Sequence, residues 1–176
     1  MNPNLIPNLI PNLIANMTYR VSQRERAIGA LFAVLGQLTL GQALGPTLGP
    51  TLGSTLVKRN SALPERLSDH AMAILRDGEM GEPELTLSPV MYHWQHETLV
   101  ELFVADPDAA RRDARMDALL VQLDELLAAN PGLGGAVDFC VASTPKFEEL
   151  FVEGAAGIKS CVVPIVLHYS SASALG

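Results

Sequence analysis

Histidines are the first side chains in this chain that could bind a metal ion. His93 and His96 lie three residues apart in a run that alternates polar and apolar residues, whereas His70 and His168 lie elsewhere. On a β-strand, residues three apart project from opposite faces, so His93 and His96 cannot readily share one ion. The spacing therefore favours structural histidines, and we predict no metal site.

The two cysteines are the next candidates, as nucleophiles or as a crosslink. Two cysteines are too few for a disulfide framework or a four-thiolate zinc site. Cys140 stands between Phe139 and Val141, and Cys161 also lies in an apolar run. Burial would raise the pKa of such thiols and leave them inert. We predict two free thiols, and an acyl-transfer or hydrolytic enzyme that uses Cys140 is the least favoured of three functional interpretations.

Carboxylates are the third group that could do chemistry. Two sets are predicted to lie in loops: Glu79, Glu82 and Glu84 in the first, and Glu148 and Glu149 in the second. Paired carboxylates hydrolyse glycosides only when one of them is desolvated in a cleft. The first set lies beside Gly78 and Gly81, so we expect those carboxylates to be solvated or to face a basic partner. Nucleophile-elbow, phosphate-loop and zinc-protease motifs are also absent, so we predict no enzymatic activity and no cofactor.

Length and composition limit the classes of protein that fit. The chain has 176 residues, 48% of them hydrophobic, with 12 basic and 19 acidic residues and a net charge of −7. That length suits one domain, and the apolar fraction excludes wholesale disorder. Aromatic residues make up only 5%. A module that reads DNA bases or stacks RNA bases is therefore disfavoured.

The N-terminal region differs from the rest of the chain. Pro-Asn-Leu-Ile occurs three times in tandem at 3–14, and Leu-Gly-Pro-Thr occurs at 44–47 and 48–51. A proline every four residues prevents both a helix and a strand ladder. We predict an extended leader at 1–16, and a single domain at 17–176 that contains an uncharged Gly/Pro/Thr loop at about 41–55. Met17 is an alternative start to Met1.

An apolar stretch follows the leader and has two interpretations. Ser22 with Glu25 has capping-box spacing, which indicates the start of an amphipathic helix. Its stripe has helical periodicity and consists of Ile28, Leu31, Phe32, Leu35 and Leu38. Alternatively, the arginines and apolar residues of 20–44 resemble the start of a signal peptide. The protein would then be small and exported or membrane-tethered.

The remaining sequence predicts a sheet and a second helix. Apolar or alternating segments predict strands at 54–59, 71–76, 84–88, 92–104, 136–142 and 157–169. Pro164 indicates an edge strand or a bulge, and Asp77-Gly78 indicates a turn. Asp106 is predicted to cap a helix that stops at Asn130-Pro131-Gly132. The fold class is therefore α+β, with a mostly antiparallel β-sheet packed against two main helices.

Several short segments, in this order, resemble those of a known family. They are Asn-Ser-Ala-Leu-Pro-Glu-Arg at 60–66, Ile-Leu-Arg-Asp-Gly-Glu at 74–79, Gly-Glu-Pro-Glu-Leu-Thr-Leu-Ser-Pro at 81–89, Tyr-His-Trp-Gln-His at 92–96, Gly-Leu-Gly-Gly at 132–135, Val-Asp-Phe at 137–139, Val-Glu-Gly-Ala-Ala at 152–156 and Val-Leu-His-Tyr at 166–169. The chain resembles the tail terminator (tail completion, or minor tail) proteins of long-tailed phages and gene transfer agents. The likeness covers about 18–176 without the loop near 41–55.

The resemblance implies a structural role in a virion. Such a subunit forms a ring, usually a hexamer, that caps the tail tube, ends its polymerisation and joins the head connector or stopper protein. It implies a location in the tail-neck region, with the host cytoplasm as the site of assembly, and neither catalysis nor a membrane. DNA would pass through an acidic channel without specific binding, because like charges repel. We expect these residues at the interfaces: Arg76, Asp77, Glu79, Glu82, Glu84, Glu148 and Glu149.

Overall fold

The computed structural model describes residues 20–39, 55–62, 67, 71–150 and 157–175. The predicted leader at 1–16, Met17 and nearly all of the predicted loop at 41–55 lie outside these residues. The division into leader and domain therefore stays a prediction.

One seven-stranded sheet and two long helices form the described fold, which confirms the α+β class. The strands are β1 (Leu56–Arg59), β2 (Ala71–Met80), β3 (Glu84–Leu87), β4 (Val90–Ala105), β5 (Phe139–Ala142), β6 (Lys146–Leu150) and β7 (Ile158–Ser171). The main order is β1-β2-β4-β7-β5, with β3 beside β4 and β6 beside β7. Only the β1–β2 pairing is parallel among the pairings of these strands.

The β4–β7 pair is the centre of the sheet, and its register runs from Tyr92 opposite Ser171 to Ala105 opposite Ile158. The predicted alternation in β4 is confirmed. Trp94, Val100 and Leu102 belong to the main core beneath the helices, which we call the helix face. The intervening residues lie on the other side, which we call the open face. Gln95 and Glu97 are exposed there, whereas Phe103 is buried in a small second cluster with Met72 and Ile74.

Helix α1 (Gln23–Leu35) begins as predicted, because the Ser22 hydroxyl accepts a hydrogen bond from the Glu25 amide at 3.1 Å. Ile28, Leu31 and Leu35 are fully buried in the main core. Its apolar stripe is thus explained by packing against the sheet and the second helix. Among the residues that the structure describes, no helix is long and apolar enough to cross a membrane.

Helix α2 (Ala109–Ala129) differs from its prediction at the N-terminus. The capping residue is Asp108, whose carboxylate accepts from the Arg111 amide at 2.9 Å. Asp106 was the wrong assignment, because its carboxylate accepts from the Asp108 amide and is buried beside Arg115. Arg115 is buried as well, although a helical projection places it among the charged residues that face water. The helix ends at Ala129, as the Asn-Pro-Gly sequence predicts.

Strand β2 does not stop at Asp77-Gly78. The strand continues to Met80, and the register with β4 shifts between Arg76 and Glu79. Gly78 has φ +67°, so the Asp-Gly pair makes a β-bulge in place of the predicted turn. Gly78 supplies the positive φ that a turn would also use, but the pairing of β2 with β4 continues on both sides of it.

Pro164 lies in a central strand, where an edge strand or bulge had been predicted. Ile165 directs its carbonyl towards β4, since that oxygen accepts from the Thr98 hydroxyl. The backbone nitrogen and carbonyl of Pro164 therefore point away from β4. The carbonyl oxygen accepts a hydrogen bond from the Ser143 amide in the segment between β5 and β6. The missing N–H of proline thus costs no hydrogen bond to β4.

Candidate assembly surfaces at the sheet edges

Two of the predicted interface residues form ion pairs within the chain, and both side chains are partly exposed. Their contact with another subunit stays a prediction. The guanidinium of Arg76 binds the Glu101 carboxylate through two hydrogen bonds of 3.0 and 2.8 Å, and also donates to the Ser61 carbonyl at 2.8 Å. Asp77 accepts two hydrogen bonds from Arg59, at 2.7 and 2.9 Å. Neither side chain needs a partner subunit to satisfy its charge.

Arg59 joins three elements, because it also binds Glu25 of α1 through two hydrogen bonds. Its guanidinium is the main cause that lowers the pKa of both Glu25 and Asp77 below their ordinary values. The two carboxylates in turn raise the pKa of Arg59. This network ties α1 and β1 to the bulge of β2.

Replacing Arg59 with methionine is expected to lower the free energy of unfolding by about 1 kcal/mol at pH 7, a modest loss because the network is partly exposed to solvent. Both carboxylates have lowered pKa values in the folded state. Their contribution is therefore complete above an ordinary pKa of about 4, and is lost as the pH falls through the folded values. Urea denaturation at pH 7 and pH 3 measures this. Lys58→Met, next along β1, is the control and should change little at either pH; an equal deficit of Arg59→Met at both pH values would contradict the network.

Glu79 lies in a strand where a loop was predicted, whereas Glu84 begins the strand that was predicted at 84–88. Glu79 lies in β2 and Glu84 in β3, so only Glu82 is in a connecting segment. All three are exposed, and they have no ion pair among the described residues. Glu79 also stands opposite the exposed Glu97 on β4. Like charges opposite one another repel, so this part of the open face is a strongly acidic surface.

The second acidic segment is a strand, so the prediction of a loop there is wrong. Glu148 and Glu149 lie in β6, which pairs with β7. Strand β6 was not predicted at all. Whether these two residues contact another subunit stays a prediction.

The hairpin formed by β3 and the start of β4 carries exposed apolar side chains. Leu85, Leu87 and Val90 are 50%, 73% and 50% exposed. Leu85 stands opposite Tyr92 and Leu87 opposite Val90, so all of these side chains are on the helix face. We call this surface the β3 edge. The sequence predicts this segment only as a strand, although its alternation of polar and apolar residues was a usable signal of an exposed apolar edge.

Strands β5 and β6 carry a second apolar surface at the opposite edge of the sheet. Phe139, Val141 and Phe147 are 46%, 49% and 56% exposed. Phe147 is on the helix face, where the Lys159 ammonium lies 5.6 Å from its ring centre. Phe139 is on the open face and stacks on His168 at 4.1 Å between ring centres. We call the part around Lys146 and Phe147 the β6 edge.

The histidines of β4 lie on opposite faces, as predicted. His96 is buried, and its Nε2 lies 2.6 Å from the carbonyl oxygen of Asp77. That oxygen can only accept, so Nε2 carries the proton and Nδ1 accepts from the Tyr169 hydroxyl at 3.2 Å. Burial lowers the pKa of His96 and raises that of Tyr169 to about 12. His96 therefore fixes the bulge as a neutral side chain.

His93 belongs to a polar row on the open face. Its Nδ1 lies 2.9 Å from the Ser170 hydroxyl, which donates to Asp138 at 3.4 Å. The serine stands between the histidine and the carboxylate, so the histidine is not oriented by the carboxylate as in a hydrolytic triad. Across the described residues, no group of three or more histidine, cysteine or acidic side chains could hold a metal ion.

The cysteine thiols are free, as predicted. Burial raises the pKa of both Cys140 and Cys161, which disfavours the nucleophilic thiolate. The Cys140 Sγ lies 4.0 Å from the carbonyl oxygen of Asn130 at the end of α2. Cys161 is part of the main core.

The fold and these surfaces define an α+β protein with one mixed sheet, helices on one of its faces, and apolar side chains exposed at two separate edges. No protein-family model matches the chain, and no curated protein matches it significantly. Among solved structures, it matches a chain of a structure described as "Virion of native gene transfer agent (GTA) particle". The match has 13% sequence identity and a TM-score of 0.38, and covers 82% of this chain and 98% of the other. These values are too low to establish a shared fold or function.

Proposed function

We propose that the chain is a structural virion protein, a tail terminator subunit that assembles into a ring, caps the tail tube and ends its growth. The observation that carries the proposal is the pair of exposed apolar surfaces at different edges of one sheet. Contact between two different surfaces on neighbouring copies is heterologous, and it generates a closed ring when the rotation closes. The ordered segments that resemble the tail terminator family supply the identity of the ring.

The finer parts of the proposal follow from that family resemblance. The ring is a hexamer in the tail-neck region, with the tail tube protein on one side and the head connector or stopper protein on the other. The exposed carboxylates Glu79, Glu84 and Glu97 make the open face acidic, and Glu82 lies in the adjoining segment. A channel lined by such a face would let DNA pass without retaining it, since the phosphate backbone is also negative.

Tube growth in the presence of the purified full-length protein tests this function. We expect the protein to form a closed oligomer by size-exclusion chromatography with light scattering. We also expect it to stop polymerisation of its cognate tail-tube protein, so that electron microscopy shows short tubes with one ring at an end. An equimolar unrelated acidic protein is the control and should leave the tube length unchanged. A strict monomer both alone and with the tube subunit, or tubes of normal length without end rings, would contradict the proposal.

A further inference from the structure

We propose that the β3 edge of one subunit pairs with the β6 edge of the next, so that the sheet continues from copy to copy. The inference rests on the proposed function, because it names the contact between neighbouring subunits of the proposed ring. The occupant of each edge is a second copy of this chain.

Both strands have an unpaired side. Within the described part of the chain, β3 pairs only with β4, and β6 pairs only with β7. The outward N–H and C=O groups of such edge strands form a template for pairing with another strand. The two strands have similar lengths, since β3 has four residues and β6 has five.

The side chains of the two edges match when the sheet continues around a ring. Rotational symmetry keeps the helix face of every subunit on the same side of such a sheet. On the helix face, Leu85 and Leu87 then meet Phe147 of the neighbour. These apolar side chains are exposed in the single chain and become covered in the contact.

The open face places one residue of opposite charge diagonal to Glu84. Glu84 is on this face because it stands opposite His93, and Lys146 is on it because it stands opposite Val162. Both side chains are exposed. The continuation is antiparallel, because β3, β4, β7 and β6 each run opposite to the strand beside them. With Leu85 opposite Phe147, Lys146 stands opposite Thr86 and diagonal to Glu84, a spacing that long side chains can span, while Glu148 stands opposite Glu84. Opposite charges across neighbouring strands stabilise their pairing.

The contact is small for a stable dimer. A typical specific interface buries about 800 Å² on each partner, whereas these strands have four and five residues. A closed ring gives every subunit two such contacts, whereas an isolated dimer has only one. We therefore expect assembly to be cooperative and dependent on protein concentration.

Leu87→Lys and Phe147→Asp test the contact in the full-length protein. Each places a charge in the proposed apolar contact at a side chain that is exposed in the monomer, so folding should be unaffected. We expect each variant to lose the wild-type oligomer in sedimentation velocity, while its thermal unfolding midpoint stays unchanged. Val121→Lys is the matched control, since Val121 is similarly exposed, at 51%, on α2, and it should assemble like the wild type.

Mixing two variants distinguishes a head-to-tail contact from other arrangements. Leu87→Lys is mixed with Phe147→Lys, because Phe147→Asp would place an aspartate beside the new lysine and could restore the contact. The Leu87→Lys chain keeps an intact β6 edge, and the Phe147→Lys chain keeps an intact β3 edge. One productive contact is therefore possible in this mixture, and no species larger than a dimer should form. Recovery of the wild-type oligomer in the mixture would overturn the inference.

Charge reversal provides a second route that does not alter the apolar residues. We expect Glu84→Lys and Lys146→Glu each to shift assembly to higher protein concentration, and the double variant to return it towards the wild type. A double variant weaker than both single variants would overturn the pairing of these two residues.

The outcomes separate this inference from the proposed function. A wild-type protein that stays monomeric at every concentration, or an oligomer that both Leu87→Lys and Phe147→Asp leave intact, overturns the edge contact. If such an unaffected oligomer still caps tubes, the proposed function stands without it. An oligomer that the variants disrupt as expected, but that never stops tube growth, supports the contact and contradicts the function.

Discussion

Replacing Gly78 with alanine is expected to lower the free energy of unfolding by about 3 kcal/mol or more, since backbone strain and a backbone clash add. Gly78 has φ +67°, a conformation that costs other residues about 1–2 kcal/mol. A Cβ atom there would lie 1.9 Å from the carbonyl oxygen of Glu97 on β4. Backbone cannot move aside as a flexible side chain can, so β2 and β4 would have to separate at the bulge.

That separation of β2 from β4 would also disturb the hydrogen bond of the buried His96 side chain. The imidazole donates to the carbonyl oxygen of Asp77, the residue before Gly78. Movement of the bulge would leave a buried imidazole N–H without its acceptor, which costs about 1–3 kcal/mol by itself. The alanine substitution thus strains the backbone and also disturbs a buried hydrogen bond.

Denaturant unfolding at pH 7 measures the effect, with Gly29→Ala as the matched control. Gly29 lies inside α1, and a Cβ atom there would meet nothing within 4 Å. Alanine has the higher helix propensity, so the control should be stabilised by about 0.5–1 kcal/mol. Equal midpoints for Gly78→Ala and the wild type would show that the bulge tolerates a side chain.

The elements that sequence predicts well are those whose signal is local. The alternation of 92–104 fixed which residues of β4 face the core, and all of Trp94, Val100 and Leu102 lie there. The Ser22 cap of α1 and the end of α2 depend on neighbouring residues within one turn. Such features need no knowledge of the rest of the fold.

The features that sequence missed depend on distant partners. Asp77-Gly78 has turn chemistry, but pairing with β4 on both sides converts it to a bulge. Strand β6 carries two adjacent carboxylates and becomes a strand because β7 offers it an edge. Arg115 looks solvent-facing on a helical projection, yet Asp106 lies beside it. In each case, a contact between different parts of the chain outweighs the local preference.

The candidate surfaces also divide into features with a local sequence signal and features that depend on distant contacts. Sequence identified the exposed carboxylates Glu79, Glu82 and Glu84, because their positions beside glycines indicated solvent. Arg76 and Asp77 were grouped with them, but Glu101 and Arg59 neutralise them within the chain. The apolar β3 edge and β6 edge became visible only when the sheet order placed them at opposite margins.

Replacing Asp106 with alanine is the second substitution with a large expected effect, a loss of about 3–5 kcal/mol. The Asp106 side chain is 4% exposed, and its Oδ2 lies 2.8 Å from Arg115 Nη1, whose side chain is 10% exposed. That contact is an ion pair without hydrogen-bond geometry, because Nε and Nη1 of Arg115 have no hydrogen-bond partner among the described residues. Coulomb attraction therefore carries the interaction. Removing the carboxylate leaves a buried cation without its counter-charge.

Acid should reproduce part of this loss in the wild-type protein. Burial by itself raises the pKa of Asp106, but the Asp108 amide and the charges of Arg115 and Arg111 outweigh it, so the pKa lies below its ordinary value. The stabilisation is therefore complete above an ordinary pKa of about 3.9, and is lost as the pH falls through the lower folded value. The difference in stability between the wild type and Asp106→Ala should accordingly shrink below pH 4.

A double-mutant cycle separates the ion pair from the other contacts of Asp106. Arg115→Met removes the cation and leaves Asp106 with the Asp108 amide and Arg111, so its loss should be smaller. Asp106→Ala combined with Arg115→Met should cost less than the two single changes together, because no charge is then left buried and unpaired. Urea denaturation of the four proteins at pH 7 measures the coupling. Strict additivity of the two losses would show that the buried pair contributes nothing beyond its separate parts.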